Sequence, residues 1–275
     1  MKTLLIVNGE DYWADYFPEH RVHQCRLQNS RWHLREDGLW VLDGAQWICV
    51  DAVLWRLGAV RPCAAHRSAL EIIRLSGVPC FNAASVLLRG YDRLGMLSEL
   101  REIGLPIVPF SVALGDRVLE REQPQFPCVI KVGNLHGGWG KARAANAEQW
   151  SDILDLAFVT EDYATVEPYI DYEQDVRCLC IGDEIWAMSR RSTEWKVNRG
   201  MAEPTLIDVP TLLFEYSKRL QHHLKADVLA LDCLQTRDGE WFVLEYNDIP
   251  GLSGFPTNVR ESLARCVREH MSNIS

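Results

Sequence analysis

A chain of 275 residues, 47% hydrophobic and 24% charged, has the apolar mass for one large domain or two to three packed lobes, and this excludes the disordered class. Its net charge of −9, without any Lys/Arg-rich block, argues against a nucleic-acid footprint, and no apolar run reaches the length of a membrane span. Nine scattered cysteines, odd in number and without a CxxC pair, point to a reducing cytoplasm rather than to a disulfide scaffold or a zinc site.

The opening MKTLLIVNGEDYW reads as a first strand, Thr3–Val7, because acidic residues follow the short apolar stretch too soon for a signal peptide. Trp47–Trp55 is predicted as another strand, ending at Arg56. Ala64–Leu75 has helical spacing and is stopped by Gly77-Val78-Pro79, and Val78–Asn82 reads as a short strand. This alternation predicts a small α/β lobe with a parallel sheet. Asp92–Ile103 places Leu94, Leu97, Leu100 and Ile103 on one helical stripe. Pro106–Pro109 is extended, and residues 117–127 form a polar connection. Cys128–Val132 is a buried-type strand, Gly133–Gly140 a glycine-rich loop, Lys141–Ala145 the returning strand and Ala147–Val159 a helix. Val166–Ile170 is a short extended stretch. Two hairpins follow. The first spans Asp175–Ile181 and Glu184–Arg191 around Gly182-Asp183; the second spans Asp227–Thr236 and Glu240–Asn247 around Asp238-Gly239. Leu212–Leu224 is a helix between them, and Glu261–Met271 closes the chain.

In the second hairpin, a two-residue turn at Asp238-Gly239 pairs Asp232 with Glu245 and leaves Asn247 on the same face. The opposite face then carries Leu229, Leu231 and Cys233 with Phe242, Leu244 and Tyr246, the core side. Facing carboxylates with Cβ atoms about 5 Å apart repel unless something offsets the charge. A hard divalent cation does so with oxygen ligands; the alternative is a solvated face.

The glycine-rich loop is not a Walker A loop, since Leu135 and Ala142 stand where that pattern needs Gly and Ser/Thr. Strand–loop–strand is the better reading: a hairpin flap whose backbone N–H groups cradle phosphate, with Lys131 and Lys141 bracketing it. An ordinary flexible hairpin is the competing reading. In the first hairpin, Asp175, Arg177 and Arg190 share one sheet face. Two guanidinium forks suit a phosphate or acyl phosphate, and a surface Asp175–Arg190 ion pair is the plainer alternative.

Together these features resemble an ATP-grasp enzyme, with RimK-type glutamate ligases and the ATP-binding domain of synapsins as the nearest likenesses. Asp232 and Glu245-Tyr246-Asn247-Asp248-Ile249-Pro250-Gly251-Leu252 resemble the RimK-type metal strand. Tyr163 to Asp171 (YATVEPYID) is similar to the synapsin hinge, and Asp175-Val176-Arg177 and Trp195 to Gly200 (WKVNRG) match that domain's spacing. The resemblance runs from about Val53 to the C-terminus. It implies an α/β ATP-grasp fold with a pre-ATP-grasp lobe over residues 1–90, a lid lobe over 91–165 and a C-terminal lobe over 166–275.

The likeness also implies roles. Glu167, Tyr169 and Ile170 line the adenine hinge. Lys131 contacts the phosphates, and Gly137, Gly138, Trp139, Gly140 and Lys141 close over them. Asp175 lies near the nucleotide, and Lys196 and Asn198 reach the phosphates and metal. Asp232, Glu245 and Asn247 hold one or two Mg²⁺, with Mn²⁺ an alternative. Arg177 and Arg190 steady an acyl phosphate. Arg93 stands where the family usually has Lys, and keeps the charge without the compact ammonium. Arg56 resembles a segment bordering the site, as a clamp for a substrate carboxylate or as a structural residue. The implied activity is ATP- and Mg²⁺-dependent joining of a carboxylate to an amine with release of ADP and phosphate. The partners are a small carboxylate and amine or a peptide terminus, and homo-oligomerisation is left open. A synapsin-like nucleotide-binding module and an ATP-grasp phosphotransferase are the rival expectations.

Overall fold

The computed structural model describes residues 1–115, 119–157, 163–191 and 203–273. The first strand, Thr3–Val7 (β1), is buried at every position, as an unbroken apolar run in a parallel sheet requires. Arg21–Cys25 (β2) follows, then Arg31–Arg35 (β3), Gly38–Asp43 (β4), Gln46–Val50 (β5) and Ala52–Trp55 (β6). The continuous strand expected over 47–55 is therefore two strands in two sheets. The break is at Asp51, whose Oδ2 accepts the Thr3 N–H at 2.6 Å while its own N–H donates to the Thr3 carbonyl at 3.0 Å. Beyond that point the chain joins β1 in a parallel sheet of order β2-β1-β6-β7, where Cys80–Phe81 is β7; before it, β3, β4 and β5 form an antiparallel meander.

Helix α1 (Ala64–Ser76) ends where Gly77 takes φ 71° and its N–H caps the Arg74 carbonyl. The short α2 (Ala84–Arg89) leads to α3 (Arg93–Glu102), whose N-cap Asp92 accepts the Gly95 N–H at 2.8 Å. Ser111–Ala113 (β8), Cys128–Val132 (β9), Lys141–Ala144 (β10) and, after helix α4 (Ala147–Ala157), Ala164–Pro168 (β11) make an antiparallel sheet of order β10-β9-β11-β8. It has a small core of its own around Ile130, Ala144, Trp150 and Val166.

Tyr172–Ile181 (β12), Glu184–Arg191 (β13), Glu203–Ile207 (β14), helix α5 (Thr211–Leu224), Val228–Thr236 (β15), Trp241–Asn247 (β16) and helix α6 (Asn258–Ser272) complete the chain. The strands form one sheet of order β14-β13-β12-β15-β16. One of its faces packs with Leu213, Leu220 and Leu224 of α5. The other shares a core with α6 and with Leu4, Ile6 and Trp13 of the N-terminal region. No helix among the described residues is long and apolar enough to cross a membrane.

The first hairpin has the expected register, with Asp175 facing Arg190 and Arg177 facing Met188. The second differs in two places. Its loop is Arg237-Asp238-Gly239, three residues rather than two, closed by Thr236 N–H to Glu240 O at 2.9 Å, with Gly239 at φ 84°. That shifts the pairing by one, so Cys233 faces Val243. A bulge between Asp232 and Cys233 then inserts Leu244 and restores Asp232 opposite Glu245. The core side is therefore Val243 and Tyr246, not Phe242, Leu244 and Tyr246 as the two-residue turn implied.

Candidate functional site

The site is built on the shared face of β12, β13, β15 and β16, where the sheet meets the β9–β10 hairpin. Asp232 is only 2% exposed. Arg177 Nε and Nη2 donate to its two oxygens at 2.7 and 2.6 Å, Arg190 Nη2 donates at 3.1 Å and Asn247 Nδ2 at 3.2 Å. Four donors fill the lone pairs of one carboxylate. Burial alone raises such a group, but Arg177 and then Arg190 outweigh it and hold Asp232 well below the ordinary range. Arg190 Nε also donates to Asp175 at 2.7 Å. Burial, reinforced by the Asp232 charge and only partly offset by Arg190, pushes Asp175 up to about 6.

Glu245 is arranged differently. Its nearest cations are Lys141 at 3.6 Å and Arg93 at 3.8 Å, and among the described residues no hydrogen-bond donor reaches its side chain. Lys141 overcomes burial and lowers it to about 2. Lys131 pairs with Glu167 at 2.5 Å. Burial lowers Lys131 despite that partner, with Lys141 and Arg93 adding to the effect.

The glycine-rich segment is a strand–loop–strand, with Lys131 paired to Lys141 across β9 and β10. Gly140, at φ 64°, has no room for a side chain: a Cβ there would lie 2.8 Å from the Val132 carbonyl and 2.7 Å from Leu135 Cδ1. The loop is anchored at its base. Asn134 accepts the Arg93 N–H at 3.0 Å and donates to the Tyr91 carbonyl at 2.9 Å; Arg93 Nη2 donates to the Leu135 carbonyl at 2.7 Å, and His136 N–H to Val60 O at 2.9 Å.

Two cavities meet this set. The smaller, about 100 Å³, lies between the β8–β11 sheet and the five-stranded sheet and gathers Lys131, Gly138, Lys141, Glu167, Tyr169, Ile170 and Asp175 against Val108, Leu234 and Leu244. The bulge is what turns Leu244 into this slot. The larger, about 390 Å³, is lined by Arg93, Gly137, Arg177, Glu245 and Asn247 together with residues of the N-terminal lobe. Five expected residues stand apart from both linings: Gly140 and Asp232, already placed, and Trp139, Arg190 and Arg56. Trp139 is half exposed, Arg190 is spent on Asp175 and Asp232, and Arg56 donates to the Pro250 carbonyl at 3.1 Å with its guanidinium 5.4 Å from the Trp13 ring centroid. Lys196 and Asn198 lie outside the described residues.

The donor set suits a hard divalent cation in part. Glu245 has free acceptor capacity, and Asn247, with its amide N–H turned to Asp232, has a carbonyl oxygen to offer. Asp232 is saturated as placed, by Arg177, Arg190 and Asn247, and would be open to a cation only if a guanidinium gave way. Sequence reasoning missed Asn134, whose signal was its place beside Gly133, and Asp248, which lines the larger cavity and is pushed up to about 7 by burial.

A family model described as the synapsin ATP-binding domain matches residues 116–270, more than half of the chain. The chain belongs to that family. With it comes membership of the ATP-grasp superfamily, RimK-like within it. The glutamate–LysW ligase ArgX of Sulfurisphaera tokodaii is 25% identical over 232 residues, covering 78% of this chain and 82% of the relative. Synapsin of Drosophila melanogaster is 26% identical over 200 residues, 66% of this chain, which spans only 19% of that longer protein. The crystal structure of a RimK-domain ATP-grasp protein from Sphaerobacter thermophilus superposes with a TM-score of 0.72 at 18% identity, over 97% of this chain and 99% of that one. The fold of this ATP-grasp chain is thus the one its motifs implied.

Proposed function

We propose that this ATP-grasp chain is an ATP- and Mg²⁺-dependent carboxylate–amine ligase acting through an acyl phosphate. The observation that carries the reading is the junction of the two cavities. Lys131 and Lys141 border the nucleotide slot, Lys141 and Arg93 flank the Glu245 carboxylate, and Arg177 extends the same charge into the larger cavity. The slot takes adenine against Val108, Leu234 and Leu244, with the β9–β10 flap lifting to admit it. Glu245 and Asn247, joined by Asp232 if a guanidinium released it, would hold Mg²⁺, which would neutralise phosphate charge there. Mn²⁺ can replace it.

The chain's own residues do the rest by positioning and electrostatics. Lys131 and Lys141 fix the phosphates under Gly137–Lys141. A substrate carboxylate oxygen attacks the γ-phosphorus in line and ADP leaves. Arg177, with Arg190 behind it, steadies the acyl phosphate. An amine nitrogen then attacks the acyl carbon, phosphate departs and the amine proton is lost, leaving an amide. The flap and His136 exclude water that would hydrolyse the intermediate. The lobes proposed for this cycle are residues 1–90, 91–165 and 166–275, and a reducing cytoplasm suits nine free thiols.

The family match alone favours a second reading, nucleotide binding without turnover. A nucleotide binder has no use for a second cavity lined by Arg177, Glu245 and Asn247. Release of ADP and phosphate from ATP, assayed over pooled amino acids and small carboxylic acids, separates the two. Turnover dependent on both an acid and an amine is the expected result. Release of AMP, or nucleotide binding with no turnover in any pool, would sink the ligase reading.

A further inference from the structure

Away from both cavities, three metal-ligating side chains of different chemistry converge where β15 begins. Asp227 immediately precedes that strand, and Cys266 and His270 stand one turn apart on α6, on one face of the helix. A carboxylate oxygen of Asp227, the Cys266 sulfur and a ring nitrogen of His270 all lie within 4.8 Å of one another, and His270 Nε2 is 3.5 Å from Asp227 Oδ1. One point therefore lies within about 2.8 Å of all three atoms (4.8 Å divided by √3), and small side-chain rotations bring it to the bond lengths of about 2.0–2.3 Å that zinc takes to O, N and S ligands. The supports of all three are fixed. Asn82 Oδ1 accepts the Asp227 N–H at 2.7 Å, and the Asp227 carbonyl accepts the Gly182 N–H at 2.9 Å. Val267 and Met271, fully buried, seat α6 on the core. The Phe81 ring stacks on the His270 imidazole with centroids 5.3 Å apart. His270 is exposed and Asp227 and Cys266 are half-buried, so an ion reaches the cluster from solvent.

We propose that Asp227, Cys266 and His270 bind a zinc ion that clips the C-terminal helix to the start of β15, with water in the fourth position. The donor set selects the metal: thiolate and imidazole favour zinc, whereas Mg²⁺ takes oxygen ligands. Thiolate and carboxylate together cancel the charge of the ion, and the Cys266 thiol gives its proton to solvent on binding. The lack of a CxxC pair excludes a thiolate-rich site, not one assembled from a single thiol, an imidazole and a carboxylate that only the fold brings together. The clip is separate from the magnesium ligands proposed above. Asp227 stands five residues before Asp232, about 16 Å of extended chain, so the inference is independent of the ligase reading.

The test is titration of the full chain with Co²⁺, the coloured substitute for zinc, under a phosphine reductant and in excess Mg²⁺ to occupy oxygen-only sites. The natural protein is compared with Cys266→Ser, His270→Ala and Asp227→Asn, with ADP binding as the control for folding. A thiolate-to-cobalt absorption band in the near ultraviolet should saturate at one ion per chain and vanish when Zn²⁺ is added. Cys266→Ser should abolish the band. His270→Ala and Asp227→Asn should each weaken Co²⁺ binding at least about 10-fold, the loss that even an outer-shell partner causes, while ADP affinity stays within about twofold. Zn²⁺ should raise the unfolding temperature of the natural protein and leave that of Cys266→Ser where it was. No thiolate band in the natural protein, a band that survives Cys266→Ser and so belongs to another thiol such as Cys25, Cys49 or Cys63, or binding indifferent to both His270→Ala and Asp227→Asn overturns the proposal.

Discussion

Asp232 is held by two guanidinium groups at once, so its neighbours are fixed in charge as well as in shape. Arg177→Ala leaves that buried carboxylate with Arg190 alone. Breaking a buried pair on one side costs about 3–5 kcal/mol, and urea unfolding should show a loss of that size. Arg177→Lys keeps a positive charge but not the fork; it should stay folded and lose turnover by about 10²-fold, the scale of one missing electrostatic contact. Acid separates these groups further. Asp232 and Glu245 are both lowered in the folded protein, Glu245 to about 2, so their stabilisation is complete above the ordinary carboxylate range and is lost as pH falls toward that value. Asp175, raised to about 6, acts in the opposite sense: its contribution is present at low pH and is lost as pH rises through 6. Asp248, raised to about 7, acts in the same sense as Asp175, so two lowered groups oppose two raised ones and the test is by difference. Glu245→Gln removes one lowered group, so its urea midpoint at pH 3 relative to pH 5 should lie above that of the natural protein, and an unchanged difference would contradict the arrangement.

At the scale of elements, the site depends on two irregularities that cancel. The three-residue loop at Arg237–Gly239 moves the β15–β16 pairing by one, and the Leu244 bulge moves it back, so Asp232 faces Glu245 although the count used to expect it was wrong at the turn. The same bulge gives the slot proposed for the nucleotide an apolar wall, Leu244, that strict alternation assigns to the core. A second device joins elements far apart in the chain. Asn82, just after β7, is 3% exposed; it donates to the Val228 and Asp248 carbonyls at 2.5 and 2.7 Å and accepts the Asp227 and Val228 N–H groups at 2.7 and 2.8 Å. It therefore locks the start of β15 and the segment after β16 to the N-terminal sheet. Asn82→Ala strands four buried backbone groups and should cost about 4 kcal/mol, at roughly 1 kcal/mol for each net hydrogen bond, measured by denaturant unfolding. An unchanged midpoint would show that water replaces the amide.

For the molecule as a whole, the N-terminal region and the five-stranded sheet share one core, whereas the β8–β11 sheet has its own. The slot proposed for the nucleotide lies between the β8–β11 sheet and the five-stranded sheet, so ligand binding should register in global stability. ADP with Mg²⁺ at about 100 times its dissociation constant should add about 2.7 kcal/mol, seen as a higher unfolding temperature that chelation reduces. What the amino-acid sequence determined by itself was local: apolar runs and turn residues set the strands of both hairpins, and motif order identified the ATP-grasp fold. It also held a signal that went unused, since Asp37-Gly38 and Asp43-Gly44 punctuate the β3–β5 meander. The tertiary structure alone decided the break at Asp51, the partners of each carboxylate and the withdrawal of Arg56 to Pro250. The reason is physical. Strand and turn preferences act over a few residues and can be read from neighbours. Charge pairing and backbone capture join groups as far apart as Arg56 and Pro250, and their outcome depends on which surfaces the packed lobes bring together.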